Sequence, residues 1–319
     1  MSRRFINQLT EQESIDEIFL VADKQLRANR QGSHYLLLKL SDRTGKITAM
    51  LWNAEDRVVD GFQRGDYARC QGRTQLYNGN LQAILTSVHK IEDDQVERSD
   101  FEQFDAGASE RNESRLRELL EGMRNVHLRR LGQAFLGDPE FMPRFRLAPA
   151  AISNHHAFPG GLLLHTLELI ELAALVAPRY PKLDAELLVM GAFLHDLGKT
   201  EEMSLVGEST YTDRGQLVGH IVIGVQMLGE KMREVAEGHG EAIPCELRWH
   251  LEHLIISHHG NLEFGSPRLP ASLEALALHH LDNLDAKLAA ATSVIESDLS
   301  GDERWTNYNP VMQRKFLKP

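Results

Sequence analysis

Cysteine is almost absent from this chain: Cys70 and Cys245 are the only two in 319 residues. So few thiols exclude a disulfide scaffold and a cysteine-ligated zinc finger, and they suit a reducing cytoplasm. Long apolar runs are lacking too. None reaches the roughly 20 residues that a membrane helix needs, so no membrane partner is expected. The opening MSRRFINQLTEQES carries charge too early to leave room for the apolar core of a signal peptide. A cytoplasmic protein is therefore expected. Positive charge is in deficit, with 35 Lys and Arg against 46 Asp and Glu, for a net −11. That excludes a uniformly basic nucleic-acid binder. What remains is ordinary globular composition, 42% hydrophobic and 25% charged, long enough for about two domains.

Histidine is the residue in excess. There are 15, and 12 of them fall between His155 and His280. The charge is also unevenly placed. Residues 1–91 hold 13 basic and 10 acidic side chains, whereas residues 92–113 hold 2 basic and 9 acidic. Residues 114–319 hold 20 basic and 27 acidic. The acidic middle block, EDDQVERSDFEQFDAGASERNE, has few apolar residues and reads as a solvated linker. The expected organisation is a first domain over 1–91, a linker over 92–113, a second domain over 114–299 and a tail over 300–319 that the pattern does not place.

The first 91 residues read as strands. IDEIFLVADKQL, HYLLLKLSD and KITAMLW are followed by a short helix-like NAEDRVVDGF. DYARCQGRTQLY and LQAILTSVHKIE then flank Asn78-Gly79-Asn80, a strong hairpin signal. Three strands, a helix and two strands is the order of an all-β OB-fold barrel. Alternation places Leu36, Leu38, Leu40, Ile47, Ala49 and Leu51 inside. The opposite face then carries Tyr35, Lys39, Lys46 and Trp52. In a chain with only 7% aromatics, rings beside lysines suit single-stranded nucleic acid, bases stacking on rings while cations follow phosphates. Packing of Tyr35 and Trp52 against the short helix or the second domain is the alternative.

Beyond residue 111 the apolar spacing turns helical. Helices are expected over SRLRELLEGMRNVHLRRLGQAFLGD, GGLLLHTLELIELAALVAPRY, DAELLVMGAFLHDLG, GHIVIGVQMLGEKMREVAEG, PCELRWHLEHLIISHHG and ASLEALALHHLDNLDAKLAAATSVIES, with a longer loop over 199–218. Asp184 should cap the third, which should close at Gly198. His165 lies in the second, and His195 with Asp196 end the third. His220 opens the fourth, His258 and His259 close the fifth, and Asp282 sits in the sixth. Imidazoles and carboxylates in this set suit first-row divalent metals such as manganese, iron or zinc. An aspartate between two such metals offers one oxygen to each.

The order H…HD…H…HH…D resembles the HD-domain superfamily of metal-dependent phosphohydrolases. NHHAFPGGLLLHT, HDLGKTEE, YTDRGQLVGHI, LIISHHG with GSPRLP, and HHLDNLDAK narrow that resemblance to the YhaM-type exoribonucleases. These join an N-terminal OB-fold to an all-α HD helical bundle, the order expected here across nearly the whole chain. Leu269 in GSPRLP stands where the family often has a basic or aromatic residue. The resemblance implies manganese-dependent 3′-to-5′ removal of nucleotides from single-stranded RNA, with some action on DNA.

Two divalent ions are expected, manganese foremost, with iron, cobalt, zinc or magnesium as alternatives. His165, His195, Asp196 and Asp282 would hold one. Asp196 would bridge to a second held by His220 and His258, with His259 a further ligand or a partner of one. Hydroxide generated at metal would attack the terminal phosphodiester and release a nucleoside 5′-monophosphate. Lys199 would steady a phosphate oxygen, or else is a lysine favoured by the helix end. His156 is a candidate substrate contact. Asp285, three residues past Asp282, orients a ligand or caps Lys287. Self-association stays open. Two other readings compete: an HD phosphohydrolase acting on a free or cyclic nucleotide, and a non-enzymatic OB-fold binding protein.

Overall fold

Alternate leucines build the first unit. In the computed structural model, Leu36, Leu38, Leu40 and Ala49 are fully buried while Lys39, Lys46 and Thr48 are exposed. The structure describes residues 3–28, 34–77, 80–97, 100–101, 104–151, 158–204, 210–296, 298 and 304–319. Strands β1 (Ser14–Ala28), β2 (His34–Asp42) and β3 (Gly45–Trp52) precede helix α1 (Asp56–Asp60). Strands β4 (Tyr67–Tyr77) and β5 (Asn80–Ile91) follow. They close a barrel in the order β1-β2-β3-β5-β4, in which β3 and β5 alone run parallel. This is the expected OB-fold, cored by Phe19, Val21, the β2 leucines, Ala68 and Ala83. Tyr77 pairs with Asn80, so the connection has two residues. Those two, Asn78 and Gly79, lie outside the described residues.

The acidic block contains the boundary between the two units, at 103/104, but carries ordered structure on either side of it. Phe101 is only 5% exposed. Its ring centroid lies 4.7 Å from that of Tyr67, and the Arg3 guanidinium sits 4.2 Å above it. Arg3 also pairs with Asp100 at 3.2 Å. From Asp105 onward the block is already helix. The Asp105 carboxylate accepts the Ala108 N–H and starts α2 (Ala106–Glu121). A charge count over 22 residues hides one aromatic anchor and one capping aspartate. The tail is folded as well. Thr306 is buried and its Oγ1 accepts the Phe316 N–H. Lys318 pairs with Asp298 at 2.8 Å, and Asp298 accepts the Asn307 N–H. Ala291–Pro319 groups with Met1–Gln103 in one compact unit, and Phe104–Ala290 forms the other.

The second unit is helical. One long helix was expected over residues 114–138, but two are present. Gly122 ends α2, and the Asn125 side chain accepts the His127 and Leu128 N–H groups to open α3 (Val126–Leu136). Helix α4 (Phe141–Leu147) was not foreseen; Phe141, Met142 and Phe145 are its buried residues. Helices α5 (Gly161–Val176) and α6 (Ala185–Leu194) follow. The Asp184 carboxylate caps α6 as expected, yet the helix stops at His195 rather than Gly198. The loop over 199–218 contains two short helices, α7 (Lys199–Glu202) and α8 (Asp213–Val218). Then come α9 (His220–His239), α10 (Cys245–Ser257) and α11 (Leu273–Glu296).

By length and composition Gly161–Arg179 is apolar enough to cross a membrane, contrary to the run-length reading. Its apolarity has another use, since Leu162, Leu163, Leu169, Ile170 and Ala173 are fully buried in the helical core. Four Phe rings and the α5–α6 leucines form that core, against which the histidine-bearing helix ends are fixed.

Gly72 in β4 sits at a register shift, where a Cβ would lie 2.2 Å from the Ile84 carbonyl oxygen. Gly72→Val should lower barrel stability by about 2 kcal/mol or more. Urea unfolding compared with wild type measures the loss; an unchanged midpoint would show that the strands separate freely there.

Candidate metal centre

Helix ends bring the histidines together. His165 projects from α5. His195 caps the C-terminus of α6 and Asp196 follows it in the turn. His220 is the first residue of α9. His258 caps the C-terminus of α10, with His259 next. Asp282 and Asp285 lie on α11. Two glycines allow this closeness. A Cβ on Gly198 would lie 2.0 Å from the His220 carbonyl oxygen, so only glycine lets the HDLG turn meet the start of α9. Gly260 has φ +77° and a Cβ there would enter the His279 ring. His279 in turn donates to the His258 carbonyl at 2.9 Å rather than to Asp282.

Each ring presents Nε2 to the centre because its Nδ1 is engaged elsewhere. His195 Nδ1 donates to the Ala192 carbonyl at 2.8 Å, and His258 Nδ1 to the Ile255 carbonyl at 2.7 Å. Both carbonyls stand three residues earlier, at the open end of a helix. His165 Nδ1 donates to Asp285 at 3.0 Å, His220 Nδ1 to Glu202 at 3.0 Å, and His259 Nδ1 to the Phe264 carbonyl at 2.8 Å. A carbonyl or carboxylate can only accept, so Nδ1 carries a proton in each ring; Nε2 then keeps its lone pair unless the ring takes a second proton, as His165 does toward Asp282.

These Nε2 atoms form two sets around one carboxylate. His165, His195 and Asp282 offer ligand atoms within 4.8 Å of one another, and so do His220, His258 and His259. Asp196 Oδ2 is 3.2 Å from His195 Nε2 and 3.9 Å from His165 Nε2. Its Oδ1 is 3.6 Å from His220 Nε2 and 3.7 Å from His258 Nε2. Asp196 is only 3% exposed and His258 1%. Asp196 Oδ1, His220 Nε2 and His258 Nε2 are buried and have no hydrogen-bond partner among the described residues. Three orphaned polar atoms facing one point would be costly in a finished protein interior. They fit a divalent cation, which takes lone pairs and supplies no proton.

Electrostatics point the same way. Burial would raise the Asp196 carboxyl, but Lys199 and His195 hold it well below the usual range. Lys199 Nζ lies 2.6 Å from Asp196 Oδ2; burial works against its charge, and Asp196 raises its pKa. Burial, aided by the neighbouring His195, drives His258 well below the usual imidazole value, and burial lowers His259. Both are thereby neutral, the form that ligates. Burial also disfavours charge on His165, yet hydrogen bonds to Asp282 and Asp285 outweigh it and lift the ring to about 9.

Comparison with known proteins agrees with this geometry. Residues 162–287 match the HD domain, and residues 20–91 match an OB-fold nucleic acid binding domain. The 3′-5′ exoribonuclease YhaM of Bacillus velezensis is 34% identical over 96% of this chain and 95% of its own. That of Bacillus subtilis is 34% identical over the same shares, and that of Halalkalibacterium halodurans 33% over 96% and 93%. The chain belongs to the YhaM 3′-5′ exoribonuclease family. Its HD domain is a divalent-metal site, and its barrel is a module for single-stranded nucleic acid.

The remaining expected residues of this YhaM-family chain fall as follows. His156 lies outside the described residues. Tyr35 and Trp52 pair across β2 and β3 with ring centroids 4.9 Å apart, so they pack on each other. Trp52 stays 46% exposed, and Lys39 and Lys46 are exposed on the same face. Glu202 was missed. It sits in HDLGKTEE, six residues past Asp196, a spacing that puts the two on different faces of a helix. It also accepts the His220 backbone N–H at 2.9 Å, capping α9. Asp285 orients His165, the ligand-orienting alternative of its two readings.

Asp285→Asn and Glu202→Gln should each weaken metal binding about 10- to 100-fold while the fold persists. Titration calorimetry with Mn2+ reads this; wild-type affinity would show that the Nδ1 partners are dispensable. A second expectation concerns pH. Metal-free His165 holds a proton up to about pH 9, whereas a ligand imidazole must be neutral, so loading expels a proton. Apparent affinity should rise with pH from 6.5 to about 9, and heats measured in buffers of different ionisation enthalpy should show proton release. A flat profile would place that proton elsewhere.

Proposed function

We propose that this chain is a two-metal 3′-to-5′ exoribonuclease that shortens single-stranded RNA and releases nucleoside 5′-monophosphates. One observation carries the reading. A buried aspartate turns one oxygen to each of two ligand sets. His165, His195 and Asp282 would hold one ion beside Asp196 Oδ2; His220, His258 and His259 would hold the other beside Oδ1. Manganese is the metal we favour from the family resemblance; the nitrogen and oxygen donors are a set that iron, cobalt, zinc and magnesium also accept to differing degrees. Such ions supply positive charge for phosphoryl oxygens and make water acidic enough to act as a nucleophile near neutral pH.

The chain's own residues supply the rest. Asp285, Glu202 and three backbone carbonyls keep five imidazoles from turning. The ammonium of Lys199, held at the centre by Asp196, is placed to steady a phosphate oxygen. On the barrel, Tyr35 and Trp52 offer rings for bases, and Lys39 and Lys46 offer cations for phosphates. Stacking does not read the ribose 2′-hydroxyl, so single-stranded DNA is a plausible second substrate on the same surface. The free thiols Cys70 and Cys245 fit action in the reducing cytoplasm.

A 5′-labelled single-stranded RNA incubated with Mn2+ should give a ladder shortening from the 3′ end, with nucleoside 5′-monophosphate as the other product. No ladder, together with rapid turnover of a free or cyclic nucleotide, would move the function to a nucleotide phosphohydrolase. Asp196→Ala should cut hydrolysis by about 1,000-fold or more. Its RNA affinity in EDTA should stay within about threefold of wild type, because binding rests on the barrel.

A further inference from the structure

The tail that the sequence left unplaced forms one wall of a cavity. A hollow of about 590 Å³ opens where β3 and β5 begin, and residues 307–310 close it from the tail side. Every lining residue belongs to the unit made of Met1–Gln103 and Ala291–Pro319. Its lining mixes apolar side chains with polar ones. Lys46, Asn7, Asn80, Asn307, Asn309 and Tyr308 supply the polar part, and Tyr308 is 57% exposed. Among the described residues Lys46 makes no ion pair. Asp298 is the acidic group in the lining, and Lys318 neutralises it at 2.8 Å. The tail is held in shape by the Trp305–Leu317 and Asn309–Arg314 bridges and by buried Thr306.

The hollow continues the barrel's exposed face. Lys46 stands at one end of β3 and Trp52 at the other, on the same side of the strand, about 20 Å apart. We propose that this cavity is a nucleobase subsite for the single strand lying on the barrel, with the C-terminal tail as part of the nucleic-acid interface. Tyr308 supplies a stacking face, the asparagine amides supply donors and acceptors for a base edge, and Lys46 holds the adjoining phosphate. The volume exceeds what one base fills, leaving room for its sugar. This rests on the barrel being the platform for the strand, so the test separates the two claims.

The probe is a 5′-fluorescein single-stranded RNA of 15 nucleotides, bound to the full chain in EDTA and read by fluorescence anisotropy. Tyr308→Ala should raise Kd about 5-fold or more, while Tyr308→Phe, which keeps the ring, stays within twofold. Trp52→Ala should weaken binding independently. If Trp52→Ala weakens binding and Tyr308→Ala does not, the subsite is refuted and the platform stands. If neither does, both are refuted. In parallel, an oligonucleotide containing 4-thiouridine should cross-link to the peptide holding Tyr308 in the wild-type chain, located by mass spectrometry. This readout needs no variant. Adducts confined to β2 and β3, with none in the tail, would overturn the proposal even where Tyr308→Ala disturbs the tail's folding.

Discussion

Five hydrogen bonds from imidazole Nδ1 atoms govern this site. Each ends on a fixed acceptor, and each leaves Nε2 as the ring nitrogen available to a metal. An imidazole free to flip would present an N–H to a cation on half its visits, and ligation would fail. The folding problem for the helical unit therefore reduces to placing five acceptors. Two are solved by helix geometry alone. At the ends of α6 and α10 the last carbonyls lack intrahelical donors, and His195 and His258 sit three residues on to use them. His259 uses the Phe264 carbonyl five residues on, while His165 and His220 need acceptors brought from 120 and 18 residues away.

The same arrangement explains how an acidic domain can serve a polyanionic substrate. The helical unit gains no general positive field from its surface charges. Its positive potential is local, confined to Lys199, protonated His165 and the cations that the histidines are built to take. Strand binding falls to the barrel, whose net charge is mildly positive and whose exposed face adds rings to lysines. Dividing affinity from chemistry avoids a strongly basic active site, in which product monophosphates would also be retained.

Much of this was legible because the informative residues obey short-range rules. Strand alternation found the buried leucines of β2 and β3 and the exposed Tyr35, Lys39, Lys46 and Trp52. Ordered motifs picked out seven candidate ligands, and the fold brings those side chains together. What stayed hidden depends on contacts distant in the sequence. Phe101 lies in an acidic stretch, and only its packing on Tyr67 and Arg3 shows that the stretch is anchored. Asn125 resembles any polar residue until its side chain restarts a helix that Gly122 had stopped. Glu202 reads as a surface charge in a Lys-Thr-Glu-Glu run, because its partner His220 is 18 residues away across a loop. The tail has no periodic apolar pattern, since Thr306 and the Asp298–Lys318 pair hold it by polar bonds.

The centre also shows what a metal site needs when no metal is bound. A buried carboxylate ringed by lone pairs would be repelled from the interior unless something positive stood nearby. Here two groups meet that need. Lys199 lies against Asp196 Oδ2, and the proton on His165 lies between Asp282 and Asp285. By linkage, the His165 proton contributes stability that is complete below its unfolded value near 6.5 and is lost as pH rises through about 9. Over that interval metals take over the role, since they bind best where the proton leaves most readily. The acidic residues that keep the His165 proton at lower pH are thus the ones a cation would meet at higher pH. The imidazoles are positioned by Nδ1 acceptors that belong to the surrounding helices and loops, so their orientation does not depend on an ion.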